Sequence, residues 1–180
     1  MSQSPEENVR KLVKAVAERL LHEKIRLATA ESCTGGWIAQ VLTSLPGSSQ
    51  WFDCGFVTYS NQAKQRSLDV PEILFVEGGP GAVSVETVLA MTAGALKHSD
   101  ADVAIASSGI AGPDGGTEEK PVGTVWLAWE RRGGKRLSKV FLFDGDRYGI
   151  RLATVEQALL GLVALLDNTQ PPTRANPQEK

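Results

Sequence analysis

Three stretches of this sequence carry residue types at spacings that could do chemistry. In the first, Glu31-Ser32-Cys33-Thr34-Gly35-Gly36, a short apolar run delivers a serine to the start of a helical segment. A hydroxyl placed there suits an activated nucleophile. The N–H groups of a helix's first turn lack partners and could face a developing oxyanion, and glycine admits the close approach of a substrate carbonyl. The plainer alternative is that Ser32 or Thr34 caps the helix. Cys33 is either a rival nucleophile, acidified by the helix start, or a small buried hydrophobe.

In the second stretch, Thr58-Tyr59-Ser60-Asn61-Gln62-Ala63-Lys64, a strand meets a short helix, and Lys64 follows Ser60 by four residues, so the two share a face. His22 and His98 are the only histidines, which leaves a His-dependent triad poorly supplied. A lysine could serve as base for a serine if burial or neighbouring cations hold it neutral. The alternative is a solvated lysine beside a core-edge tyrosine. The third stretch runs from Ser107-Ser108-Gly109 through Gly112-Pro113-Asp114-Gly115-Gly116-Thr117 to Lys120-Pro121-Val122-Gly123-Thr124. It matches neither a Walker A loop nor a GxGxxG fingerprint. Such a glycine loop after a buried strand can form an anion-binding nest, completed by Thr117 or Lys120, or it can be a structural Ω-loop. Asp144, Asp146, Arg147 and Arg151 form a last polar cluster that could hold an anionic ligand or salt-link a helix start.

The elements that must position these groups follow from periodicity and punctuation. Val9, Leu12, Val13, Val16, Leu20 and Leu21 recur at three- and four-residue intervals and predict a helix over Pro5 to Glu23, with Ser4 as cap and Glu7 at capping-box spacing. Ile25 to Ala30 reads as a buried strand, Trp37 to Leu45 as a helix stopped by Pro46-Gly47, and Trp51 to Tyr59 as a second strand. A short helix from Asn61 to Ser67, a Pro- and Gly-rich loop from Asp69 to Gly81 and a helix capped by Ser84 follow. Asp102 to Ser108 is a small-apolar run typical of a strand covered on both faces. Gly123 to Glu130 and Leu137 to Phe143 flank Arg131-Arg132-Gly133-Gly134-Lys135 as a hairpin, and a helix over Arg147 to Leu166 closes the core. The order αβαβααβββα predicts one three-layer α/β/α sandwich over residues 1–167, with a mixed, mostly parallel sheet. Residues 168–180, with three prolines and little apolar content, predict a disordered tail.

Composition excludes several other roles. The chain has 180 residues, 42% of them hydrophobic, enough to support a core without disulfides or a structural metal. Its 19 Lys and Arg against 21 Asp and Glu leave a net charge of −2, which gives no basic field for nucleic acid and no polybasic membrane anchor. No apolar run is read as a membrane span, and the polar, acidic N-terminus is unlike a signal peptide, so a cytoplasmic location is expected. Two cysteines and two histidines make a metal site unexpected. The spacing of Trp37, Trp51, Trp126 and Trp129 does not decide between core and subunit interface.

Taken together, Thr29 to Gly36, Gly55 to Asn61 and Gly109 to Val125 closely resemble the CinA carboxy-terminal domain family, the stand-alone nicotinamide-nucleotide amidohydrolases, over about Val9 to Leu166. The resemblance implies hydrolysis of the carboxamide of nicotinamide mononucleotide to nicotinic acid mononucleotide and ammonia, in pyridine-nucleotide salvage, without a cofactor. It implies Ser32 as nucleophile, Lys64 as general base and Tyr59 as an orienting or proton-relaying hydroxyl. The N–H groups of Thr34, Gly35 and Gly36 would form the oxyanion hole. Asn61, Gly109, Gly112, Thr117, Lys120 and Arg147 would bind the nucleotide, and the protein would be a homo-oligomer lacking the family's amino-terminal nucleotide-processing domain. A non-catalytic nucleotide-binding or regulatory module, and an amidase for another carboxamide, are the alternative expectations.

Overall fold

The computed structural model of the chain describes residues 4–171. Its elements are α1 (Pro5–Glu23), β1 (Leu27–Glu31), α2 (Trp37–Thr43), β2 (Phe52–Val57), α3 (Asn61–Leu68), α4 (Val85–Lys97), β3 (Val103–Gly109), β4 (Thr124–Arg131), β5 (Arg136–Leu142) and α5 (Arg147–Leu166), the order expected from the sequence. Single 3₁₀ turns add Ser48–Gln50 and Glu72–Leu74. Four helices start where an oxygen-bearing side chain accepts an early N–H: Ser4 from Glu7, Ser60 from Ala63, Ser84 from Thr87 and Asp146 from Gly149. α1 and α3 end on Lys24 and Asp69 in the left-handed conformation.

The sheet order is β2-β1-β3-β4-β5. β2, β1 and β3 are parallel, and β4 alone runs against its neighbours β3 and β5. Period-two alternation divides the core in two. Leu27, Val103, Ile105, Val125, Leu127 and Trp129 pack under α1, α2 and α5. Ala28, Ala30, Ala104, Ala106 and Ala128 face α4 and the end of α3. The alanine face lets α4 lie close to the sheet, so the three-layer α/β/α sandwich follows from a large-residue face and a small-residue face on the same strands.

Trp51 and Trp129 are fully buried, with Trp129 Nε1 donating to the Ala158 carbonyl at 2.8 Å, while Trp37 and Trp126 are half-buried. The expectation that no segment is long and apolar enough to span a membrane needs correcting. Among the described residues α5 meets that length and composition, and 67% of its apolar window is buried inside the fold as the central core helix. Asn168 and Thr169, placed in the tail by composition, still close α5, with Thr169 N donating to the Ala164 carbonyl at 2.8 Å. The rest of that expectation, residues 172–180, lies outside the described residues.

Candidate active site

The C-terminal ends of β1 and β3 lie side by side, with Glu31 paired to Ser107, and the chemistry collects there. Strand alternation sends the Glu31 side chain under α2. It turns Ser32 to the opposite side, where α3 arrives.

Glu31 is fully buried and is the anchor of the turn. Its Oε2 accepts from Thr34 Oγ1 at 2.7 Å, Gly36 N at 3.0 Å and Ile38 N at 3.0 Å, and its Oε1 accepts from Ala39 N at 2.8 Å. Gly36, at φ 93°, offers no side chain to cap α2, so a carboxylate from the preceding strand does so. Because Thr34 Oγ1 gives its one hydrogen to Glu31, the 2.8 Å contact with Ser107 Oγ has Ser107 as donor. The chain Ser107 to Thr34 to Glu31 therefore locks the turn to two strands.

Ser32 Oγ lies 2.9 Å from Lys64 Nζ. Lys64 is only 1% exposed, and its Nζ also donates to the Thr58 carbonyl at 2.7 Å and the Tyr59 carbonyl at 3.4 Å. Among the described residues no carboxylate pairs with it. Burial pushes its pKa down from the ordinary 10.5 to about 8. A neutral amine here gives its two hydrogens to the two carbonyls and turns its lone pair to Ser32, the arrangement of a general base. Ser32, 9% exposed, is the member of the pair that reaches the surface. Cys33 points into the large-residue core, where burial pushes its thiol up to about 12, which is the opposite of an activated nucleophile.

The amides expected to face an oxyanion divide into two sets. Gly35 N donates to the Ser32 carbonyl at 3.0 Å and Gly36 N to Glu31, so both are already engaged and the helix start is closed to an incoming anion. Among the described residues the amide of Thr34 has no acceptor. Tyr59 is 59% exposed, and its hydroxyl lies 2.8 Å from Arg147 Nη2, so its carbonyl, and not its hydroxyl, meets Lys64.

The remaining expected ligand groups lie at the end of β3, on the β3–β4 loop and at the starts of α3 and α5. Arg147 is exposed and also donates to the Gly112 carbonyl at 2.9 Å, which joins Tyr59, Gly112 and Arg147 in one rim. Thr117 Oγ1 accepts from Lys120 N at 3.0 Å, and Lys120 Nζ donates to the Pro80 carbonyl at 2.8 Å, tying the glycine loop to the segment before α4. Gly109 sits within the β3–β4 ladder opposite Val125, where a β-carbon would meet the Thr124 carbonyl at 2.8 Å, so it serves the sheet. Asn61 is exposed at the first turn of α3. Glu31 as an anchor and Arg151 as a donor to two carbonyls are not among the expected roles, although both residues lie in the polar segments of the sequence. Among the described residues no three His, Cys, Asp or Glu side chains form a group that could hold a metal ion.

Comparison with known proteins adds an independent finding. The CinA C-terminal domain family matches residues 9–166 of the chain. The nicotinamide-nucleotide amidohydrolase PncC of Pseudomonas putida is 53% identical over 154 residues, covering 86% of this chain and 94% of that protein. The protein of the same name from Escherichia coli K12 is 48% identical over 148 residues, covering 82% and 88%. Among solved structures, the competence/damage inducible protein CihA from Agrobacterium tumefaciens superposes with a TM-score of 0.84 at 46% identity, covering 92% of this chain and 99% of that one.

Proposed function

This chain belongs to the CinA C-terminal domain family, and from that premise we propose that it hydrolyses the carboxamide of nicotinamide mononucleotide. The products are nicotinic acid mononucleotide and ammonia, a step of pyridine-nucleotide salvage. The observation that carries this reading is the 2.9 Å approach of Ser32 Oγ to a buried Lys64 whose other donors are taken by backbone carbonyls.

Neutral Lys64 takes the Ser32 proton as Oγ attacks the amide carbon, and the tetrahedral oxyanion forms. The resulting ammonium of Lys64 gives its proton to the departing nitrogen, so ammonia leaves and an acyl-serine remains. Water then attacks that ester with Lys64 again as base, and the carboxylate is released. The cationic pyridinium ring withdraws electron density from its own carboxamide and makes the carbon more electrophilic.

For the nucleotide phosphate, Arg147 and Lys120 are the donors this reading uses. Each holds one loop carbonyl and keeps further N–H groups to offer. Tyr59 then orients through Arg147, and this reading assigns Asn61, Gly112 and Thr117 to the same nucleotide site. The same reading carries a cytoplasmic homo-oligomer. Val140 and Leu142, 46% and 63% exposed on the side of the sheet where Trp126 is half-buried, support a subunit contact there, which sedimentation would test.

A coupled ammonia assay with nicotinamide mononucleotide tests the function. Wild type and Cys33→Ala should release ammonia and Ser32→Ala should not. Binding of the nucleotide without ammonia from the wild type would instead make the protein a binding module.

A further inference from the structure

The turn that carries Ser32 is held from outside by a residue the mechanism above does not use. Arg151, half-buried on the first turns of α5, donates from Nε to the Cys33 carbonyl at 3.1 Å and from Nη2 to the Thr34 carbonyl at 2.8 Å. Its guanidinium is fixed in turn, lying over the Trp37 ring at 5.2 Å. A fork of donors on two successive carbonyls sets two successive peptide planes, a geometry that a lysine point charge does not reproduce.

In a planar trans peptide the C=O and N–H point in opposite directions. The peptide between Cys33 and Thr34 has its carbonyl drawn to α5 by Arg151, so its other end, the Thr34 N–H, points away from α5. α5 packs on the large-residue face of the sheet, whereas α3 ends against the small-residue face. The direction left to the Thr34 amide is therefore that of Lys64 and Ser32. This amide has no acceptor among the described residues, while the next two amides, of Gly35 and Gly36, are engaged by Ser32 and Glu31. A cation on the carbonyl end of a peptide also polarises it, which makes the N–H end a stronger donor.

We propose that Arg151 is a positioning residue for amide hydrolysis, aiming and polarising the Thr34 N–H as the donor that stabilises the oxyanion. This rests on the function proposed above, and the test separates the two. Ammonia release is measured for nicotinamide mononucleotide and for its thioamide analogue, with wild type, Arg151→Gln and Arg151→Lys, alongside thermal melting.

A donor aimed at an oxyanion favours oxygen over the larger, weakly accepting sulfur, so wild type should prefer the amide. In Arg151→Gln, kcat for the amide should fall by roughly 10- to 100-fold, KM should stay within about twofold, and the preference for oxygen over sulfur should contract towards one. Arg151→Lys keeps the charge but not the fork, and its preference should lie between the two. It also keeps the test alive if the glutamine variant does not fold. Loss of amide and thioamide activity by equal factors in the folded variants, or no loss at all, would overturn the inference while leaving the function intact. A wild type that releases no ammonia would remove the function itself.

Discussion

Gly94, in the middle of α4, packs so closely on the carbonyl of Leu68, at the end of α3, that a β-carbon at position 94 would overlap that backbone. Lys64 stands one turn before Leu68 on the same helix, so the absence of a side chain on α4 sets where the base sits. Gly94→Ala must push α3 and α4 apart. We expect a loss of about 1–3 kcal/mol in stability and a lower kcat, read by urea denaturation and ammonia release. A variant as stable and active as wild type would show that α3 is not held by this contact.

The pKa of Lys64, near 8, predicts how activity varies with pH. Only the neutral amine can take the Ser32 proton, so kcat/KM should rise about tenfold per pH unit below 8 and level off above it. A profile that is flat from pH 6 to 9 would remove Lys64 as the titrating base.

Stability should carry the same signature with a definite sign. The unfolded lysine titrates near 10.5 and the folded one near 8. Between these values the unfolded chain binds more protons, so stability rises with pH across that window. Below 8 both states are protonated, and the cost of burying the cation is fully present. Lys64→Met lacks that cost. Its melting temperature relative to wild type should therefore be highest below pH 8 and decline as pH approaches 10.5, which calorimetry across the range would check.

Glu31 gathers four donors on one carboxylate, and glutamine cannot, because one of its two ends is itself a donor. Glu31→Gln should lose on the order of 3 kcal/mol, together with most of the activity, since the turn bearing Ser32 loses its anchor. Equilibrium unfolding would measure the first and the ammonia assay the second.

Tyr59 reaches Arg147 by its hydroxyl and Lys64 only by its carbonyl. Tyr59→Phe should therefore raise KM by about fivefold, the worth of one ordinary hydrogen bond, and leave kcat nearly unchanged. A collapse of kcat with KM intact would return the hydroxyl to the reacting centre.

Much of this protein was legible in the order of its residues because the signals are local. Ser4 and Ser84, the expected caps, each accept the amide three residues on, and Ser60 and Asp146 do the same at α3 and α5, where no cap was expected. The helices over Pro5–Glu23 and Arg147–Leu166 have the bounds that their apolar periodicity implies. The motif segments also marked Ser32, Lys64 and the glycine loop as the place for chemistry. Within those segments, the assignment of single atoms was less legible. Two glycines after a serine suggested free amides, yet Gly35 turns inward to Ser32, and Gly36 to a carboxylate five residues earlier.

What only the tertiary structure decided are relations between residues far apart in the chain. Lys64 faces Ser32 across 32 positions, and Arg151 holds Thr34 across 117. Neither follows from periodicity, because each is set by which face of the sheet a helix covers and how closely it lies there. The lowered pKa of Lys64 belongs with them. Desolvation depends on every atom packed around the amine, from α3 and from the strand ends beside it, and no spacing along a chain records how much water that packing excludes.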